Sequence, residues 1–169
     1  MYSLNVPVPV QVATLATELA RELPAARPRS RDAHTLGVKR LSTAQYDSYS
    51  HLEARVRELL VGQPAFEIRV NDVDYFSEAI TGPTPVLYLA VESPELHRLH
   101  RHLAEVFPPI EGIEGEGYTP HVTAARGGTT AAAERVADRE IEPITWTVSE
   151  LIFWDATRRQ PVSRVSLPA

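Results

Sequence analysis

The sequence predicts an α+β fold in which helices pack on one face of a mainly antiparallel sheet and leave the other face open. Short segments with alternating apolar residues, typical of strands, are interspersed with longer segments whose apolar residues recur at helical spacing. Their order along the chain is βαβαββαβαββ, which is typical of this class. A groove across the uncovered face is the expected place for a site.

The amino-terminal segment predicts a strand followed by a helix. Leu4, Val6 and Val8 alternate with polar residues or proline, which is the period of a strand with one buried face. From residue 10 to residue 23 apolar residues recur at helical spacing, and Pro24 ends the pattern. The next segment, AARPRSRD, is predicted to be a charged loop.

The middle of the chain predicts a strand, a helix and two more strands. The second strand covers residues 33–41, and a helix follows over residues 44–61, where Gly62 closes it. Around residues 66–70 and 87–91, apolar residues occupy every second position, which predicts two strands. The GPTP segment between them is interpreted as part of a turn.

The third helix has recognisable ends. Ser93 is a predicted N-cap, Pro94 takes the first helical position, and Pro108 lies beyond the last turn. The EGIEGEG stretch is predicted to be an acidic loop and YTPHVTAAR a strand, followed by a short helix over residues 130–139. The tail, residues 145–167, predicts two strands with a turn at residues 157–161.

Composition limits the possible functions. The 169 residues fit one domain, residues 1–169, and contain no cysteine, which suits a reducing compartment such as the cytoplasm. No signal peptide or membrane span is predicted. The net charge of -5 argues against a sequence-independent binder of long nucleic acid, but it is compatible with one phosphate in a small pocket.

The segment YTPHVTAARGGT carries the clearest chemical signal. In a strand, His121 and Thr123 share one face, while Val122 and Ala124 point to the opposite, apolar side. A histidine exchanges protons near neutral pH, and a threonine hydroxyl donates to phosphate oxygens. The pair predicts half of a phosphate site.

The string PHVTAAR resembles the second signature of the two-histidine phosphoesterases, which include the 2′-5′ RNA ligase-like proteins. His121, Thr123 and Arg126 occupy the matching positions, and the order of elements is similar over nearly the whole chain. The resemblance implies a bilobal, pseudo-symmetric fold with a central groove. It also implies cleavage of a 2′,3′-cyclic or 2′-5′ phosphodiester of an RNA end or nucleotide, without metal or cofactor. A monomer is expected.

This family requires a first histidine motif upstream, and the candidate is AHTLGVKRL. The family pattern is His-x-Thr or His-x-Ser, whereas His34 is followed directly by Thr35. One alignment keeps His34 as the catalytic group; the other keeps Thr35 and Leu36 in place and leaves Ala33 at the histidine position. Alternation places His34 on the same face as the apolar residues Leu36 and Val38, unless a bulge near Gly37 or a twist at the start of the strand turns it to the groove. We expect His34 to face the groove.

The resemblance assigns roles to these residues. His34 and His121 would be the catalytic acid and base, with Thr123 and Arg126 stabilising charge on the phosphoryl oxygens. Thr35 and Lys39 are the further predicted substrate-binding residues. The alternative function is a degenerate member that binds a nucleotide or RNA end without turnover, because its first motif departs from the pattern.

Other polar and aromatic residues have plainer interpretations. His97, His100 and His102 do not form a metal-binding cluster in our interpretation, because His102 is turned away from the other two on the helix. We interpret them as a solvated helix face. Surface charge is the preferred interpretation of the further basic residues that could contact a phosphate, which are Arg40, Arg158 and Arg159. Tyr118 and Trp154 could stack on a base, but packing in the core or at its rim is preferred.

Overall fold

The computed structural model describes residues 1–30 and 34–169, and in this part of the chain four helices pack against one sheet of nine strands. The strands are β1 (Tyr2–Pro7), β2 (Ala26–Pro28), β3 (Thr35–Leu41), β4 (Phe66–Phe76), β5 (Val86–Glu92), β6 (His121–Gly127), β7 (Ile144–Val148), β8 (Glu150–Asp155) and β9 (Gln160–Ser166). The helices are α1 (Val10–Ala20), α2 (Tyr49–Leu59), α3 (Pro94–Ala104) and α4 (Thr130–Ala137).

The sheet is antiparallel throughout the described pairs, which confirms the predicted fold class. Its order is β7-β4-β5-β6-β3-β1-β8-β9, with β2 paired to β6. Since β7 and β8 are separated only by Ser149 yet lie far apart in this order, the sheet curls and brings these strands together. The two-lobed pseudo-symmetry remains a prediction.

One apolar layer lies between the helices and the sheet. Helix α1 packs on β6, α3 on β3, and α4 on β4. Every second residue of a strand points into this layer, and such residues, for example Leu4, Val122 and Phe153, are fully buried. Burying one such side chain contributes about 1.5–3 kcal/mol, so the helix-covered face holds the fold together and the opposite face is available for a site.

Helix α3 begins as the sequence predicts. Ser93 is the N-cap, its hydroxyl accepts a hydrogen bond from the Leu96 amide at 3.1 Å, and Pro94 follows at the first position. The same hydroxyl donates to the Glu67 carbonyl at 3.1 Å. The cap therefore also fixes α3 to β4.

Two elements differ from the prediction. The segment predicted as a charged loop contains β2, a three-residue strand whose pairing with β6 depends on its neighbour and not on any alternation of its own. The first predicted strand of the tail is two strands, because the chain leaves the β4 edge at Ser149 and then joins β1 as β8.

Strands β6 and β3 form the weakest junction in the sheet. Their register contains the single pair Leu36–Val122, whereas β4 and β5 pair from Arg69–Glu92 to Phe76–Val86. One side of the junction consists of β4 to β7, and the other combines β1 and β3 with the carboxyl-terminal β8 and β9. Side chains from distant parts of the chain therefore meet where these two parts adjoin.

Candidate functional site

A cleft of about 710 Å³ lies over the junction of β6 and β3. The end of β4 at Phe76 and loop residues from 78–81 and 112–119 contribute to its walls. The strand side chains in the cleft include Asn5, Thr35, Arg40, His121, Thr123, Arg126 and Trp154. The cleft therefore combines hydroxyl, imidazole and guanidinium groups, which are the usual partners of a phosphate.

His121 and Thr123 both line the cleft, as the alternation of β6 predicts. Val122 and Ala124 are fully buried on the helix-covered side. The apolar residues of β6 therefore fix the direction of its two polar side chains.

A β-bulge turns Arg126 into the same cleft. Tyr88 pairs with Thr123 and Leu87 with Ala125, so Ala124 is an extra residue in β6. Simple alternation from Thr123 would place Arg126 on the far face, but one extra residue reverses the phase of the strand. Arg126 lines the cleft, and its Nη1 donates to the Thr81 carbonyl at 2.9 Å.

The imidazole of His121 is held in one tautomer. Its Nδ1 lies 2.7 Å from the Thr119 carbonyl, which can only accept, so Nδ1 carries the proton and Nε2 has a lone pair. Burial lowers the pKa of His121, the Thr119 hydrogen bond opposes this, and the nearby arginines lower it further. His121 is therefore a neutral base at neutral pH.

His34 does not lie where we expected it. Its side chain is only 6% exposed and does not line the cleft, whereas Thr35 does. The expectation that His34 faces the groove is therefore wrong: the chain enters β3 with Thr35 towards the cleft and Leu36 in the core. Ala33, the alternative histidine position, lies outside the described residues.

A bulge near Gly37, one of the two features that could have turned His34 to the groove, is present but lies downstream of His34. Asn5 pairs with Gly37 and Leu4 with Lys39, so Val38 is the extra residue. A bulge changes the phase of the residues that follow, and Arg40 consequently lines the cleft as Arg126 does. It does not redirect the residues before Gly37.

The register across the junction arranges four positions around one point. Because Leu36 is opposite Val122, Thr35 lies across from Thr123 and Gly37 across from His121. An added Cβ at Gly37 would meet no atom within 4 Å, so this corner is open. Thr35, Thr123 and His121 thus carry polar side chains at three of these positions, and Gly37 leaves open space at the fourth.

Lys39 borders the cleft, but its ammonium forms a buried ion pair. Its side chain is fully buried, and Nζ contacts Glu114 Oε1 at 2.8 Å. The same ammonium donates to the Arg40 carbonyl at 2.9 Å and to the Pro108 carbonyl at 3.4 Å. We predicted Lys39 as a substrate contact, but Glu114 neutralises its charge.

His100 is buried, so the interpretation of its helix face as solvated is wrong for this residue. Its Nδ1–H donates to the Val38 carbonyl at 2.7 Å, and Nε2 accepts from the Gly115 amide at 2.9 Å. The ring stacks on Tyr118 at 3.8 Å, and the Tyr118 hydroxyl donates to the Gly37 carbonyl at 2.7 Å. Tyr118 therefore packs against its neighbours, which was the preferred interpretation of this residue, and it connects the loop before β6 to β3.

Two further arginines line the cleft: Arg29, which the sequence did not single out, and Arg40, which we had interpreted as surface charge. Arg29 follows β2, where its amide donates to the Ala124 carbonyl at 2.9 Å, and Arg40 lies on β3. Burial and then Arg126 lower the pKa of Arg29, and burial and then Arg40 lower that of Arg126. Among the described residues, no carboxylate forms an ion pair with any of the three.

Within residues 1–30 and 34–169, no helix is long and apolar enough to cross a membrane. Nor do three histidine, aspartate or glutamate side chains of these residues come together in a group that could hold a metal ion.

Comparisons with known proteins agree with this geometry. The family model of the 2′-5′ RNA ligase superfamily matches residues 8–160. A search of curated proteins gives no match.

Solved structures share the fold at low sequence identity. TT0787 of Thermus thermophilus has a TM-score of 0.70 and 17% identity, covering 98% of this chain and 97% of its own. Escherichia coli LigT complexed with 3′-AMP has a TM-score of 0.65 and 18% identity, covering 99% and 98%. Usb1 of Kluyveromyces marxianus has a TM-score of 0.62 and 12% identity, covering 99% and 97%. Because the family model matches nearly the whole length of this chain, the chain belongs to the 2′-5′ RNA ligase superfamily, whose members include phosphoesterases and ligases.

Proposed function

We propose that the cleft binds the phosphate of a nucleotide or RNA end that carries a 2′,3′-cyclic or 2′-5′ phosphodiester. The observation that carries this proposal is the meeting of His121, Thr123 and Arg126 with Thr35 at one junction. Hydroxyl and guanidinium donors of this kind bind phosphoryl oxygens, and the arginines of the cleft, which form no ion pair with a described carboxylate, supply the opposite charge. Structures of LigT with 3′-AMP, ATP and NADP⁺ and of Usb1 with uridine monophosphate support a nucleotide as the ligand class.

Binding with little turnover is the function that this geometry supports best. Residues Thr35, Gly37 and Arg40 repeat along β3 the spacing of His121, Thr123 and Arg126 along β6, and each strand has a bulge after the second residue of its set. We infer that Thr35 occupies the position at which a second catalytic histidine would be needed. The two alignments considered from the sequence placed His34 or Ala33 at that position instead. A threonine hydroxyl is a hydrogen-bond donor and not a proton-transfer group at neutral pH.

Metal-independent hydrolysis is the second candidate, and the neutral His121 favours it. Its Nε2 would take a proton from water as the water oxygen attacks phosphorus and the bond to the ribose oxygen breaks. The leaving oxygen would then take its proton from solvent. A missing general acid typically costs a factor of about 10²–10⁴ in rate, so turnover would be slow. A 2′-5′ ligation would be a separate step, in which a ribose 5′-hydroxyl and not water attacks the cyclic phosphate, the bond from phosphorus to the 3′-oxygen breaks, and that oxygen takes up a proton.

The test measures binding and turnover on the same samples. Wild type is titrated calorimetrically with nucleoside 2′,3′-cyclic phosphates and 2′-5′ dinucleotides, and product formation is followed by chromatography with and without a chelator. We expect binding of either class, weakened in Arg126→Ala, and slow or undetectable turnover that the chelator does not change. Fast turnover that His121→Ala abolishes would favour hydrolysis, and absence of binding would refute both candidates.

A further inference from the structure

The cleft continues well beyond the His121 centre. On the side of β3 that faces away from β6, Gly37 pairs with Asn5 of β1, and Ser3 of β1 pairs with Trp154 of β8. Asn5, Ser3 and Trp154 all line the cleft. From β6 to β8 there are three strand spacings, about 14 Å along the sheet. A ligand held only at His121 would leave this extension empty.

Arg40 lies between the His121 centre and the far end. Its register partner on β1 is Ser3, and its amide donates to Glu114 Oε2 at 2.8 Å, which fixes the backbone. Along the strands, Arg40 lies beyond the Gly37–His121 side of the centre, whereas Arg126 lies beyond the Thr35–Thr123 side. The two guanidinium groups therefore approach from opposite ends, and each can meet a different anionic group.

Trp154 supplies a flat apolar surface at the far end. Along β8, Leu151 and Phe153 belong to the core, whereas Trp154 is on the other face and only partly buried. It lines the cleft, in contrast to Trp146, which packs against the core. An indole beside a phosphate-binding groove is the usual platform for stacking a base.

We propose that the cleft binds an RNA end of at least two nucleotides, with its terminal phosphate at His121, Thr123 and Arg126, the preceding phosphate at Arg40, and a base on Trp154. This inference rests on the proposed function and adds the minimum length of the ligand and the two residues, Arg40 and Trp154, that recognise it. The guanidinium of Arg40 contacts the internal phosphodiester, which a mononucleotide lacks. Length of the RNA end, and not only its terminal chemistry, then determines affinity.

The experiment compares adenosine 3′-phosphate with the diadenosine dinucleotide that ends in a 3′-phosphate, because neither has a cyclic or 2′-5′ bond to be hydrolysed. The Trp146→Phe variant of the full chain leaves Trp154 as the single tryptophan, so quenching of its fluorescence reports the base. Calorimetry gives the affinity. We expect the dinucleotide to bind about tenfold tighter or more and to quench Trp154, whereas the mononucleotide quenches it little.

Variants separate the two ends of the cleft. Arg40→Ala should bring the ratio of the two affinities close to one, because the dinucleotide loses more than the mononucleotide does, whereas Arg126→Ala should weaken both ligands and leave that ratio nearly unchanged. Arg101→Ala, which removes an exposed positive charge on α3, is the matched control and should change neither. Equal affinity of the two ligands, or an advantage that survives Arg40→Ala, would overturn the inference and leave the proposed function standing. Failure of both ligands to bind would contradict the proposed function itself.

Discussion

At the scale of single residues, one step along a strand separates a residue that lines the cleft from a core residue. Thr35 lines the cleft, while its neighbours His34 and Leu36 are buried. The histidine that attracts attention in the sequence thus lies away from the cleft, and the hydroxyl beside it occupies the site. Substitutions at these two positions should consequently have opposite effects on binding and stability.

Thr35→Ala should weaken binding of a 2′,3′-cyclic nucleotide by about tenfold, because a hydrogen bond to a charged group contributes about 1.5–3 kcal/mol, and it should leave stability nearly unchanged. His34→Ala should leave affinity within about twofold and lower the free energy of unfolding by about 1–3 kcal/mol, as truncating a buried side chain does. Calorimetry and urea denaturation measure the two quantities. Loss of binding in His34→Ala with affinity kept in Thr35→Ala would contradict this assignment.

His121 predicts a pH dependence of binding. Burial and the nearby arginines lower its pKa in the free protein, and a bound anion opposes this by favouring the imidazolium. Binding therefore takes up a proton, and affinity for a cyclic phosphate, which keeps one negative charge throughout, should rise as pH falls through about 6.5. Calorimetry between about pH 5.5 and 7.5 tests this. His121→Gln should show no such rise; a rise that persists would place the proton elsewhere.

At the scale of elements, the loop between α3 and β6 is fixed to β3 by a buried ion pair. Glu114 accepts from Lys39 Nζ, from the Arg40 amide and from the Ile110 amide. The two side chains are 0% and 5% exposed, so either charge alone would be costly to bury. This pair also positions the bulged part of β3 that carries Arg40.

Glu114→Gln should therefore destabilise the protein by about 3–5 kcal/mol, because it leaves the Lys39 ammonium buried without its partner. Glu58→Gln is the control, since Glu58 pairs with Arg55 on the exposed surface of α2, where such pairs contribute at most about 1 kcal/mol. Urea denaturation gives both free energies. A Glu114→Gln variant as stable as the control would show that the pair is dispensable.

His100 should make the same region sensitive to acid. Burial lowers its pKa, so the folded protein resists a proton that the unfolded chain accepts. Stability is then complete above the ordinary imidazole pKa of about 6.5 and is lost as pH falls below it. Melting temperature measured against pH tests this, with His100→Gln expected to flatten the dependence and exposed His51→Gln to leave it. An unchanged slope in His100→Gln would rule the residue out.

The sequence predicts those elements whose signal is local and misses those that depend on a partner. Alternation identifies β6 and the cleft direction of His121, and capping identifies α3. The bulges at Val38 and Ala124 arise from cross-strand register, which one strand alone does not encode. They decide that Arg40 and Arg126 line the cleft. His100 was misjudged because its partners, Val38 and Gly115, come from other elements.

At the scale of the whole molecule, the fold joins two parts of one sheet across the junction of β6 and β3. The terminal segments pair with each other in one part, and the continuous middle of the chain forms most of the other. Proposed ligand contacts come from both parts: Thr35 and Arg40 from one, and His121, Thr123 and Arg126 from the other. A bound phosphate would thus contact both sides of the junction at once.

The single registered pair at that junction has a consequence for amide hydrogen exchange. Residues 35–37 also pair with β1 and residues 121–123 with β5, so their weakly bonded amides are those that point into the junction. These amides should exchange with deuterium faster than those of the fully paired β4 and β5. A ligand that contacts both strands should slow exchange in these two short segments and leave β4 and β5 unchanged. Mass spectrometry of peptic peptides resolves the segments. Protection spread evenly over the sheet would indicate general stabilisation instead of closure at the junction.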